Sequence, residues 1–218
     1  MIRSSKYKRK DRFSPIDEQF KLIRTGIDYA AIDEKKQVIL ITSPESGSGK
    51  STVASRLAMA YAQKGEKTLL IDADMRRPVL HKNFAKLAQP GLSNVMLSES
   101  ILEDSLQKIA VTKDSLMLLT SGAIPPSPND LLSTKRMSEI LTELRAAFDR
   151  IIIDTPPVTI VSDALVLAEL ADGAVLVCRY HKTRKDKAKQ AVNQLRLAKA
   201  SLIGVVFNGV KNAESYYY

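Results

Sequence analysis

Ser43-Pro44-Glu45-Ser46-Gly47-Ser48-Gly49-Lys50-Ser51-Thr52 is the stretch on which the fold turns. It follows the apolar run Val38-Ile39-Leu40-Ile41 and opens a helix-like segment that runs to Gln63. A strand, a glycine-bearing loop ending in Gly-Lys-Ser and a helix together are the setting of a phosphate-binding loop. Gly47 and Gly49 let the backbone turn tightly and bring N–H groups against phosphate oxygens. The helix N-terminus adds its positive end. Lys50 is placed to reach β- and γ-phosphates, and the Ser51 hydroxyl to hold Mg²⁺. Ser46, Gly47, Ser48, Gly49, Lys50, Ser51 and Thr52 are therefore the expected contacts of a nucleoside triphosphate, ATP. The usual pattern has glycine six residues before the lysine, where this chain has Pro44.

The rest of the chain extends this unit in both directions. Short Val/Ile/Leu runs at Val38–Thr42, Thr68–Asp72, Leu116–Thr120, Arg150–Asp154, Gly173–Cys178 and Ile203–Phe207 read as strands buried on both faces. Helical patterns fall between them at Lys50–Gln63, Asn129–Phe148, Asp163–Leu170 and Arg184–Ala198, with a mixed helix-or-loop region from Leu80 to Ala110. Asn129 or Asp130 is the expected cap of the helix after the proline-stiffened loop Gly122–Pro128. Ser14-Pro15 opens a further helix to about Ala31, with Phe20, Ile23, Ile27 and Ala31 near helical spacing. This alternation predicts an α/β fold: a doubly wound, mostly parallel sheet flanked by helices. Residues 1–14 read as a disordered basic segment, 15–210 as one nucleotide-binding domain and 211–218 as a flexible tail.

Composition narrows the function classes. The 218 residues suit one domain. One cysteine, Cys178, leaves no internal disulfide and fits a reducing compartment. No apolar run approaches the roughly 20 residues of a membrane helix, and no apolar stretch follows the basic N-terminus, so a cytoplasmic protein is expected. The net charge of +9 is concentrated at residues 3–12 and 182–199. Those runs read either as solvated surface or as attraction to an anionic partner or lipid surface. No zinc finger or RNP motif accompanies them, so no nucleic acid is expected.

Two strands end in acid, where ligands of such sheets sit. They are Leu69-Leu70-Ile71-Asp72-Ala73-Asp74-Met75-Arg76-Arg77 and Ile151-Ile152-Ile153-Asp154-Thr155-Pro156-Pro157. Asp154 fits a Walker B residue that holds Mg²⁺ directly or through water. Asp72 and Asp74 form a second acidic pair, on one face if the strand continues, able to take a proton or hold a metal-bound water. Arg76 and Arg77 stand either near the phosphates as charge stabilisers or in solvent.

These three segments together resemble the bacterial tyrosine kinases of the capsule and exopolysaccharide type. The similarity also takes in Thr120-Ser121-Gly122 and Leu131-Leu132-Ser133, and extends to the Tyr216-Tyr217-Tyr218 end. It implies an ATP- and Mg²⁺-dependent protein-tyrosine kinase in the cytoplasm, held at the inner membrane face by a separate transmembrane activator. It also implies regulation of polysaccharide synthesis or export, with protein tyrosine substrates and a cognate phosphotyrosine phosphatase. The resemblance makes Lys50, Asp72, Asp74 and Asp154 catalytic, with Asp72 the candidate base and Ser51, Asp74 and Asp154 the metal side. Tyr216, Tyr217 and Tyr218 become acceptors in trans, and Asn208 a reader of the adenine edge. A Glu-x-x-Arg-x-x-Arg assembly motif becomes Glu18, Lys21 and Arg24 here, on one side of a helix that could close a homo-oligomeric ring. The related ParA/MinD-type ATPases, which switch partners or membrane binding without phosphorylating protein, are the alternative. Their signature lysine falls at Glu45 in this chain.

Overall fold

The structure, a computed structural model, describes residues 15–30, 36–110 and 116–210. Among them runs one seven-stranded sheet of order β3-β4-β2-β5-β1-β6-β7. Its strands are β1 (Val38–Thr42), β2 (Thr68–Asp72), β3 (Leu106–Lys108), β4 (Leu116–Leu119), β5 (Arg150–Asp154), β6 (Gly173–Arg179) and β7 (Leu202–Asn208). Every pairing is parallel except β3 with β4, where a three-residue strand closes one edge in the antiparallel sense. Parallel strands need crossovers, and helices supply them.

Strand alternation sorts side chains into two cores. On one face, Ile39, Ile41, Leu70, Ile152 and Val177 pack with α1 (Pro15–Tyr29), α2 (Lys50–Gln63) and α3 (Leu80–Phe84). On the other, Leu40, Ile71, Ile153, Leu176 and their neighbours pack against six further helices. These are α4 (Leu92–Met96), α5 (Leu102–Ser105), α6 (Pro128–Leu132), α7 (Lys135–Ala147), α8 (Asp163–Leu170) and α9 (Lys185–Leu197). The central strands β1, β2 and β5 are buried along their whole length, which is why their sequences are near-continuous aliphatics.

The expected helix over Asn129–Phe148 is two helices. Ser133 and Thr134 turn their hydroxyls onto the carbonyls of Asn129 and Leu131, at 2.8 Å each, and so break the helix between α6 and α7. Asn129 and Asp130 are not caps: α6 begins at Pro128, with Ser127 before it, so both lie inside the first turn. The Leu80–Ala110 region resolves into α3, α4, α5 and β3. In α1, Ile27 is buried and Phe20 and Ile23 pack against the core, as the spacing predicts, while Ala31 lies outside the described residues. The basic 1–14 segment and the 211–218 tail, with Tyr216, Tyr217 and Tyr218, also lie outside them.

Candidate active site

The sheet's alternation aims the acids. Ile71 and Ile153 face the α7–α9 side, so the next residue on each strand, Asp72 and Asp154, turns to the α2 side. The two are register partners on neighbouring strands and both are fully buried. Between β1 and α2 the loop Ser43–Gly49 brings Lys50 to the same place.

Glycine is required at Gly49. Its φ of +89° is left-handed, and a Cβ there would stand 1.9 Å from the Asn208 side-chain nitrogen. Gly47 also takes a positive φ of 78°, and there the constraint is conformational only. The loop is braced from several sides. Ser43 and Ser48 donate to the Glu45 carbonyl at 2.9 and 2.8 Å. Thr159 donates to the Pro44 carbonyl, and Val158 N–H to the Ser43 carbonyl at 2.9 Å. Pro44, which replaces the customary glycine, is buried and takes its order from that Thr159 contact. Ser46, Gly47 and Thr52 are exposed, and Ser51 and Lys50 half-buried, so this face of the loop is open.

Lys50 Nζ donates to Asp74 Oδ2 at 2.8 Å. Burial opposes the ammonium charge, but Asp154, Asp74 and Asp72 together more than offset it, and the Lys50 pKa is raised. Asp74 does not sit on a continued strand. β2 ends at Asp72, and a turn places Asp74, whose Oδ1 accepts the Arg77 N–H at 3.1 Å. Asp72 Oδ2 accepts the N–H groups of Val79 and Leu80 at 3.1 and 3.0 Å, which ties the strand end to α3. Its Oδ1 is buried with no partner. Burial, opposed by those amides and aided by Asp74, pushes Asp72 up to about 6. Asp154 is the extreme case. Both oxygens are buried and unpartnered, and the Ser51 hydroxyl is a neighbour that closes no hydrogen bond of normal geometry. Burial is the largest cause that pushes Asp154 up to about 8; Lys50 pulls it down and Asp72 adds to the rise. Three carboxylates thus face one lysine, and three carboxylate oxygens among them lack a partner. Such a cluster is short of positive charge.

Arg76 and Asn208 fall differently from their sequence readings, while Arg77 takes the solvent alternative. Arg76 forms a two-point contact with Asp163, Nε to Oδ2 at 2.8 Å and Nη2 to Oδ1 at 3.0 Å, and so clamps β2's end to α8. Arg77 is exposed. Asn208 at the end of β7 donates its amide to the Ser48 carbonyl at 2.9 Å. In this state that nitrogen supports the phosphate loop instead of facing a base. On α1, Glu18 pairs with Lys21 within the helix, and both stay partly exposed. Arg24 reaches the Ala60 carbonyl of α2 at 2.8 Å, so its guanidinium is engaged within its own chain.

Comparison with known proteins identifies the group. A family model of the ParA type, described as NUBPL iron-transfer P-loop NTPase, matches residues 34–213. Within that broad group, tyrosine-protein kinase YwqD of Bacillus subtilis is 44% identical over 204 residues, 92% of this chain and 85% of the relative. The chain belongs to the bacterial tyrosine kinases. The putative tyrosine-protein kinase CapB of Staphylococcus aureus is 38% identical over 208 residues, 94% of this chain and 90% of its own length. The solved structure of the chimerical protein CapA2B2 superposes with a TM-score of 0.87 at 38% identity, covering 91% of this chain and 86% of that one. The protein is thus a nucleotide-binding P-loop NTPase and a protein-tyrosine kinase. An iron–sulfur cluster needs several thiolates, and this kinase has one cysteine, buried in β6.

Several residues that shape this kinase site carry no motif of their own. Thr42 and Thr155 donate across the β1–β5 seam, to the Pro156 and Ile41 carbonyls at 2.9 Å each. Asp163 read only as a helix start, and Thr159 not at all. The acidic first residue of α8 and the hydroxyls beside Asp154-Thr155-Pro156-Pro157 are the available signals.

Proposed function

We propose that this kinase phosphorylates the Tyr216–Tyr218 cluster of a second copy of itself, using ATP and Mg²⁺. The observation that carries the reading is the Lys50–Asp72–Asp74–Asp154 cluster, whose unpartnered Asp154 oxygens adjoin the open phosphate loop. Lys50 and the loop N–H groups bind the phosphates, and Asn208 borders the nucleotide at Gly49. Among the described residues no three His, Cys, Asp or Glu side chains form a metal cage. That fits Mg²⁺, which keeps several waters and leans on substrate phosphates. Ser51 would hold the ion, with Asp154 and Asp74 on its waters; when bound it supplies neutralisation of phosphate charge. Asp72 Oδ1 accepts the proton from the acceptor phenol, whose unperturbed pKa is about 10. The phenolic oxygen forms a bond to the γ-phosphorus as the bond to the β-bridging oxygen breaks, leaving ADP.

Geometry supports transfer between copies. The tail leaves β7, and Asp72 ends β2, four strands away in the same sheet. Four spacings of about 4.8 Å put those strand ends roughly 19 Å apart. Six residues lead from Val210 to Tyr216, and a fully extended chain spans at most about 3.3–3.6 Å per residue. Tyr216 serving its own site would have almost no slack to go around the loop, and Tyr217 and Tyr218 gain only about 3.3–3.6 Å each.

The relatives' kinase names and the absence, among the described residues, of any helix long and apolar enough to cross a membrane support a cytoplasmic kinase. We further assign it a separate membrane activator, a ring-forming homo-oligomer, and control of capsule or exopolysaccharide production. The test is intact-mass and peptide mapping after incubation with Mg²⁺-ATP, alone and with a candidate activator's cytoplasmic end. Phosphate on Tyr216, Tyr217 or Tyr218 that is lost in Lys50→Met supports the proposal. ADP release without phosphotyrosine would replace it with a ParA/MinD-like switch ATPase.

A further inference from the structure

Beside the carboxylate cluster lies a cleft of about 510 Å³ with a distinct lining. Its basic side chains are Arg77, Lys82 and the imidazole of His81, which burial and Lys82 hold toward the neutral form, and its apolar walls include Pro78, Val79 and Ile124. Among the described residues no acidic side chain lines it. Arg77 and Lys82 are exposed, and neither they nor His81 make a side-chain hydrogen bond or ion pair to any described residue. Three arginines elsewhere in the fold, Arg76, Arg145 and Arg150, each meet an aspartate or glutamate. The cleft's cations are left open.

The cleft is joined to the active site through the backbone. Asp74 accepts the Arg77 N–H, and Asp72 accepts those of Val79 and Leu80. The cleft wall is thus one hydrogen bond from Asp72. Ile124, 66% exposed on the opposite side, offers an apolar surface on which an aromatic ring could rest.

We infer that the cleft of Arg77, His81 and Lys82 is a phosphotyrosine subsite, which holds an already phosphorylated tail residue of a second copy while its neighbouring tyrosine is presented for reaction. A phosphotyrosine adds about −1.5 to −2 charge and three acceptor oxygens on an aromatic ring. An arginine fork, a lysine and an apolar wall match that combination. Three successive tyrosines supply both members of such a pair. The first phosphate then assists the next, so the cluster is modified processively. This rests on the tail being the substrate, as proposed above.

The test uses the full chain, first treated with phosphatase, and labelled peptides of residues 211–218, either unmodified or carrying phosphate at the Tyr217 position. Fluorescence anisotropy without ATP reads binding. The primed peptide should bind about tenfold or more tightly than the unmodified one, the effect of one good charge-assisted contact. That preference should fall below about twofold in Arg77→Gln/Lys82→Gln. It should persist in Lys187→Gln/Lys189→Gln, which removes equal charge from α9. Equal binding of both peptides, or a preference retained in the cleft variant, overturns the subsite. The same peptides with Mg²⁺-ATP and the candidate activator's cytoplasmic end separate the two proposals. A binding preference with no phosphate transferred to either peptide would sink the tail-kinase reading and leave the subsite standing. Transfer to both peptides without a binding preference would do the reverse.

Discussion

Replacing Gly49 by alanine, with and without Asn208→Ala, tests the architecture of the phosphate loop through a thermodynamic cycle. Alanine at φ +89° meets the left-handed penalty of about 1–2 kcal/mol. Its Cβ would also stand 1.9 Å from Asn208 Nδ2, so the amide must leave the Ser48 carbonyl that it now binds at 2.9 Å. Losing that hydrogen bond adds about 1 kcal/mol. Gly49→Ala should therefore destabilise by about 2–3 kcal/mol, and Asn208→Ala alone by about 1 kcal/mol. In the double variant the hydrogen bond is lost only once. The total should fall short of the sum by about 1 kcal/mol, well outside the few tenths typical of independent sites. Urea unfolding of all four proteins at unchanged slope is the measurement. Strict additivity would show that Asn208 does not buttress Gly49 and would refute the reasoning. So would a Gly49→Ala protein as stable as the parent.

The remaining expectations address the charges. Asp154 is pushed up to about 8 in the fold, against about 3.9 for an unfolded aspartate. The native state therefore holds more protons between those values, and nucleotide-free stability should fall as pH rises from about 4 to about 8. Asp154→Asn should gain stability relative to the parent across that same window while losing kinase activity; parallel melting-temperature profiles at pH 5 to 8 would contradict this. Arg76→Ala strands the fully buried Asp163, and because the Arg76 side chain is 41% exposed a moderate loss of about 1–3 kcal/mol is expected. Nucleotide affinity measured by titration should barely change, since Arg76 serves as a clamp and not a phosphate contact. Arg24→Ala should cost about 1 kcal/mol in thermal unfolding through its bond to Ala60, whereas Glu18→Ala, from a partly exposed pair, should cost under about 0.5 kcal/mol. Light scattering on both variants reads whether either also weakens assembly.

Much of this fold could be read from the chain because its central strands obey a rule that leaves few alternatives. A strand covered by helices on both faces must be aliphatic throughout, and β1, β2 and β5 were found at their predicted limits for that reason. The phosphate loop was legible because Gly49 and Lys50 each meet a requirement that few residues satisfy. What escaped was decided by side chains that act at a distance in sequence. The break at Ser133-Thr134 depends on two hydroxyls that choose backbone carbonyls over solvent. Arg76 could not be placed without Asp163, 87 residues on. Asn208 points at Ser48, 160 residues away, through a strand order that sequence spacing does not contain.

The electrostatics of the site follow from the same order of strands. β1 lies between β5 and β6, with β2 on the far side of β5. The strand-terminal acids of β2 and β5 are therefore adjacent, and the loop after β1 falls beside them. A parallel sheet with that order forces Asp72 and Asp154 together whether or not the arrangement is comfortable, and without ligand it is not. Lys50 answers Asp74 by direct contact, Asp72 finds two amides, and Asp154 finds no partner. A protein selected for stability alone would place an apolar residue at Asp154, as it does at every other position of β5 after Arg150. Under the function proposed above, a cation that accompanies the nucleotide would relieve the desolvation of Asp154. Binding strength and apo instability then share one cause, and a substitution that improves the second should weaken the first.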